Sequence, residues 1–94
     1  MNDEHLRDQI NEGLDADSFI SNPRYQKAKV LVRANLFREF EKTGFKDSQE
    51  RDEIWRKLQA LSFIENNLER AIRDGENASK TLLSRIKDKV LRVA

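Results

Sequence analysis

The sequence predicts an all-α protein, a long antiparallel helical hairpin with short amphipathic helices at both termini. Three observations predict it. Apolar residues recur at steps of three and four, the helical period. A single Pro and three Gly leave long stretches free of helix breakers. The run Gly44-Phe45-Lys46-Asp47-Ser48-Gln49-Glu50-Arg51 reads as one helix ending and another beginning. Gly44 fits the left-handed residue that closes a helix, with Phe40 and Phe45 as the apolar pair of a Schellman closure. Asp47 offers an N-cap, and Glu50 three residues later completes a capping box.

Taken in order, the first helix covers roughly residues 3–13, where Leu6, Ile10 and Leu14 form a narrow stripe and Gly13 ends it. Asp15-Ala16-Asp17-Ser18 reads as a connector and Phe19-Ile20 as an apolar anchor. Ser21-Asn22-Pro23 starts the second helix, with a capping residue before Pro at the first helical position. Its body runs to about Thr43. Tyr25, Ala28, Val32, Leu36 and Phe40 form one stripe, widened by Val30, Leu31 and Phe37. The third helix runs from about Ser48 to Asp74 and closes at Gly75. Ile54, Leu58, Leu61, Glu65, Leu68 and Ile72 form a heptad-like seam containing one acid. Trp55, Ile64 and Ala71 flank the seam, and Phe63 falls on the far side. A fourth segment, capped by Asn77 or Ser79, carries Leu83, Ile86, Val90 and Val93 on one face with Leu82 beside them. The division is an acidic segment at 1–20, a hairpin core at 21–76 and a basic helix at 77–94.

Ninety-four residues make one domain at most, with a small core. The charged fraction is 37%, well above the usual quarter or so. Two helices cannot bury two broad stripes between themselves. Either the terminal segments fold back over the hairpin, or other subunits cover it, and the area favours a homo-oligomer. The absence of Cys excludes disulfides and thiol chemistry. No signal-peptide pattern and no membrane-spanning run is present, so the expectation is a soluble protein with no membrane partner.

Charge is unevenly placed. Residues 1–17 hold six acids against Arg7, and residues 80–94 hold five bases against Asp88. Such ends either solvate two helix faces, bind nucleic acid, or meet each other across subunits.

No constellation for chemistry is legible. His5 is the only histidine and reads as a terminal surface residue. No zinc, calcium or phosphate-loop pattern occurs, and no cofactor is implied. The acids of the third helix have basic neighbours at helical spacing and read as an ion-paired face. Glu65 lies on the apolar seam. It either reaches a solvated rim or fixes register and subunit choice, with Arg33 or Arg38 as its partner. Trp55 reads as core or as an interface anchor. Leu36, Phe37, Trp55, Phe63 and Glu65 are therefore the candidate oligomer or partner interface. Lys80, Arg85, Lys87, Lys89 and Arg92 are the candidate contacts to nucleic acid or to a docking partner.

Thr43 to Trp55, then Leu58-Gln59-Ala60-Leu61 and Ile72-Arg73-Asp74-Gly75, resemble small helical proteins encoded near the head and DNA-packaging genes of tailed bacteriophages. The Ser21-Asn22-Pro23 start fits the same group. The resemblance covers about a third of the chain. It implies a non-enzymatic role in DNA packaging, like the oligomerising core of a small terminase subunit, or in head assembly. The partner would be a larger packaging-motor or capsid protein, and the location host cytoplasm or virion. No N-terminal helix-turn-helix is legible, which weighs against direct DNA recognition. The alternative function is a nucleic-acid-binding module acting through the basic C-terminal helix.

Overall fold

The computed structural model describes residues 2–93. Met1 and Ala94, at the ends of the expected 1–20 and 77–94 segments, lie outside the described residues, as does the side chain of Val93. The protein is all-α, with three helices and no strand among the described residues. They are α1 (Asp3–Ser21), α2 (Pro23–Lys42) and α3 (Ser48–Val93). The expected short terminal helices do not form. α1 is 19 residues long and α3 is 46.

The start signals behave as capping chemistry dictates. Asn2 caps α1, its Oδ1 accepting from the His5 N–H at 2.8 Å. Asn22 caps α2, its Oδ1 accepting from the backbone N–H of Arg24 at 2.8 Å and of Tyr25 at 3.4 Å, with Pro23 at the first position. The amide of Gln26 reaches back to the Ile20 carbonyl across this break.

The stop signals behave differently, and each corrects a reading of a glycine. Gly44 does not take the left-handed conformation, and no described residue does. α2 instead ends at Thr43 in extended backbone, whose N–H and Oγ1 both donate to the Phe40 carbonyl, at 3.0 and 2.6 Å. Phe45 does not pair with Phe40 and is 98% exposed. Asp47 turns backwards, its Oδ2 accepting from the Gly44 N–H at 2.7 Å, while its carbonyl accepts from Arg51 N–H at 3.0 Å. The side chain thus closes the turn at 43–47 in place of a capping box with Glu50.

Gly13 and Gly75 stop nothing. Both lie inside helices and both are buried. Asp15-Ala16-Asp17-Ser18, expected as a connector, is helical, and so are Asn77 and Ser79, expected as caps of a separate fourth helix. The reason is that the two glycines face each other. A Cβ on Gly75 would stand 3.0 Å from the Gln9 carbonyl oxygen and 3.1 Å from Gly13 Cα. A Cβ on Gly13 would stand 2.9 Å from the Ala71 carbonyl oxygen. Glycine is used here for close backbone approach, and a helix tolerates it when packing supplies more than the roughly 1 kcal/mol lost in propensity.

The chain divides into two compact units. One is Met1–Phe19 with Asn67–Ala94, and the other is Ile20–Asn66. In the first, α1 and the later part of α3 run in opposite directions, joined by the Gly13–Gly75 contact and by Asp3 against Arg85. Leu6, Ala16 and Ala78 are its buried apolar side chains. In the second, α2 and the early part of α3 run in opposite directions, with Leu36 and Ile54 buried. The other seam residues of that unit, Leu58, Leu61 and Glu65, are half-buried.

Gly75→Ala and Gly13→Ala each remove a helix-weakening glycine, yet each places a methyl against backbone that cannot rotate away. We expect each to lose about 1–2 kcal/mol net in urea-monitored helix unfolding, because overpacking outweighs the propensity gain. Ser84→Ala, at an exposed position of α3, is the matched control and should gain a few tenths of a kcal/mol, roughly its propensity difference.

Candidate interaction surface

Among the described residues no group of three or more His, Cys, Asp or Glu is placed to hold a metal. The His5 side chain is exposed on α1. A shallow groove in the first unit, lined by Ile10, Leu14, Asp17, Ile72, Glu76 and Ser79 beside the two glycines, sets carboxylates beside apolar side chains. What the sequence offers in quantity is uncovered apolar surface, and the structure organises part of it.

In the second unit Arg51 stacks over the Phe40 ring, 4.5 Å from its centroid. That contact ties two helix flanks together. Phe37 lies three residues before Phe40 and Val30 seven before Phe37, so the three share one flank of α2. Trp55 lies four residues after Arg51 on α3, so it shares the Arg51 flank. Phe37 is 56% exposed and Trp55 60%. Val30 is exposed as well, and Phe40 is the most covered of the set. An aromatic flank with an arginine at its centre has the composition of interface hot spots. Phe63 is 73% exposed but lies eight residues beyond Trp55, roughly 80° around the helix, on a different face. Leu36, expected at the same interface, is buried inside its own unit and is closed to a partner.

Glu65 sits between the two helices. One guanidinium nitrogen of Arg33, Nη2, donates to both carboxylate oxygens at 3.1 Å. Lys29 Nζ stands 4.0 Å from Oε1. The Glu65 side chain is 16% exposed, so the carboxylate is largely out of water, while Arg33 is 40% exposed. Arg38, the other candidate partner, donates to Asn35 Oδ1 at 3.4 Å instead. Tyr25 is half-buried beside this pair. Burial pushes its phenol above the usual range, the Glu65 charge adds to the shift, and Arg33 opposes it. The pair places a charge-assisted contact at one level of an otherwise apolar seam.

The basic segment is placed otherwise than a free tail. Arg85 Nη1 donates to Asp3 Oδ1 at 2.8 Å, so the acidic and basic ends meet within one chain. Asp3 also lies in the first turn of α1, where a negative charge is favoured. The hydrogen bond from Arg85 holds its carboxyl below the usual range. Desolvation opposes this, and the charges of Arg85, Lys89 and Arg7 reinforce it. Lys80, Lys87, Lys89 and Arg92 are exposed. The whole first unit nevertheless carries ten acids against eight Lys and Arg, and the second unit ten bases against seven acids. The Arg51–Phe40 contact and the net basic character of the second unit were missed in the sequence. The first needs the turn geometry, and the second needs to know which stretches pack together.

No helix among the described residues is long and apolar enough to cross a membrane. Comparison with protein-family models, with curated proteins and with solved structures finds no match to this chain.

A double-mutant cycle of Arg33→Ala and Glu65→Ala, read by urea denaturation, should give a coupling of about 1 kcal/mol, above that of an exposed pair. A coupling of zero would show that the carboxylate is solvated instead. For Asp3 the sign follows from the depressed carboxyl. The ionised form is favoured by the fold, so its contribution is present at neutral pH and is lost as pH falls through the folded value. The stability difference between wild type and Asp3→Asn should therefore shrink towards zero on acidification. Arg85→Ala should raise the Asp3 carboxyl in an NMR titration.

Proposed function

We propose that this protein is a non-enzymatic assembly or adaptor module that self-associates through the aromatic flank of its second unit. The observation that carries the reading is the exposed pair Phe37 and Trp55, each within one turn of the Arg51–Phe40 stack on its own helix, with Val30 further along the same flank of α2. A chain this short with so few buried apolar side chains gains stability by covering that flank, since burial contributes roughly 25 cal/mol per Å². The resemblance of residues 43–75 to small helical proteins of bacteriophage head and packaging gene clusters supports a place in DNA packaging, small-terminase-like, or in head assembly. A packaging-motor or capsid protein would be the larger partner.

The second reading is phosphate-backbone binding through Lys80, Lys87, Lys89 and Arg92, favoured by their exposure. The acids of α1 in the same unit, and the use of Arg85 by Asp3, weigh against it.

Light scattering after size exclusion, at low and at high salt, tests the assembly reading. A defined oligomer should survive high salt, because apolar contacts are not screened. Trp55→Ala and Phe37→Ala should each weaken it by about 2 kcal/mol, while the helix content stays unchanged. A monomer at both salts sinks the proposal. DNA affinity that falls steeply with salt and is lost in Lys87→Glu/Lys89→Glu would support the second reading.

A further inference from the structure

The sharpest charge contrast in the chain is between α1 and α2. α1 carries six acids against Arg7, and α2 carries six bases against Glu39 and Glu41. On α1, Glu4, Asp8, Asn11 and Asp15 step by four, three and four. All are exposed, on the side away from the buried Leu6, Gly13 and Ala16. On α2, Arg24, Lys27, Leu31, Arg38 and Lys42 step by three, four, seven and four. All are exposed, on the side away from the buried Leu36. Among the described residues none of these seven charges forms an ion pair. Like charges spaced along one helix face weaken that helix slightly, so each stripe is stabilised by an opposite-sign neighbour.

We propose that the acidic stripe of α1 in one copy docks along the basic stripe of α2 in a second copy. The two stripes share a heptad spacing and have opposite sign, which is the pattern by which charged helix faces choose partners. Leu31 gives the basic stripe an apolar centre, and the lysine and arginine stems extend it. Because the two patches differ, the contact is heterologous. Each copy keeps one free stripe of each kind, so copies add until a ring closes or a filament grows. A polyanion would use the basic stripe alone and be repelled by the acidic one. A second copy uses both.

The inference rests on the assembly reading but uses a different surface, so the two fail separately. The stripe contact is screened by salt, whereas the aromatic contact is not. The test compares mass by light scattering at about 0.05 M and about 0.5 M salt. Wild type should be larger at low salt. The base-reversed Lys27→Glu/Arg38→Glu and the acid-reversed Asp8→Lys/Asp15→Lys should each stay at the high-salt size, with dissociation constants weaker by about tenfold or more. Both change exposed positions, so circular dichroism should show unchanged helix content. Mixing the two variants should give a low-salt mass above that of either alone, since the unchanged acidic α1 of one meets the unchanged basic α2 of the other, while the altered stripes carry too little net charge to pair. Salt-independent mass in wild type, growth by either variant alone, or a mixture no heavier than its separate components would each overturn the proposal. Growth of wild type only on addition of a short DNA duplex would overturn it in favour of polyanion binding. Trp55→Ala leaves the stripes intact, so loss of the salt-resistant oligomer alone leaves the stripe contact standing.

Discussion

Two glycines meeting backbone to backbone set the form of the first unit. An extra carbon at Gly13 would stand 2.9 Å from the Ala71 carbonyl oxygen, and one at Gly75 would fit only if the opposing backbone gave way. Helices that close are held by dispersion between main chains and by weak Cα–H···O contacts, and little of that depends on large side chains. Small residues therefore dominate the contact, with Ala16 and Ala78 buried beside the glycines. The same contact explains why both helices continue. A helix that stopped at Gly13 or Gly75 would lose the turns on the far side that hold the two backbones together.

The second unit solves the same problem with larger groups. Leu36 and Ile54 are its buried apolar side chains, and Arg33 donating to Glu65 adds one charge-assisted contact between the same two helices. A carboxylate in that position is costly without its partner and selective with it. The aromatic side chains then remain on the flank. The fold can be read as two small contacts, one of glycines and one of an ion pair, that leave most of the large apolar surface outward. The proposed self-association and the fold draw on different residues for that reason.

The start of α2 was legible because its chemistry is local. Asn22 before Pro23 satisfies the first amides of α2 whatever lies beyond. Helix stops were not, because glycine signals two opposite things. The same residue ends a helix through its left-handed conformation or permits another backbone to come close, and only the partner decides. A clue was present in the spacing of Ala71, Gly75 and Ala78, a face of small residues at steps of four and three. Gly44 failed for another reason. The Asp47 carboxylate already binds its N–H, so the turn needs no left-handed residue. The Glu65 partner was within reach of sequence reasoning, since only a few cations lie across the seam. The aromatic flank was half legible. Phe37 and Trp55 were singled out, but their relation through Phe40 and Arg51 depends on the geometry of the turn.

Trp55 is the only tryptophan in the chain, and it stands open on the proposed contact flank. The protein thus carries its own optical probe at the place of interest. In the lone chain the indole meets water, which gives red-shifted emission and easy access to a soluble quencher. Covering the flank dries the ring and shifts the emission to the blue. Docking through the charged stripes of α1 and α2 would leave the colour of that light unchanged, so one spectrum separates the two kinds of contact.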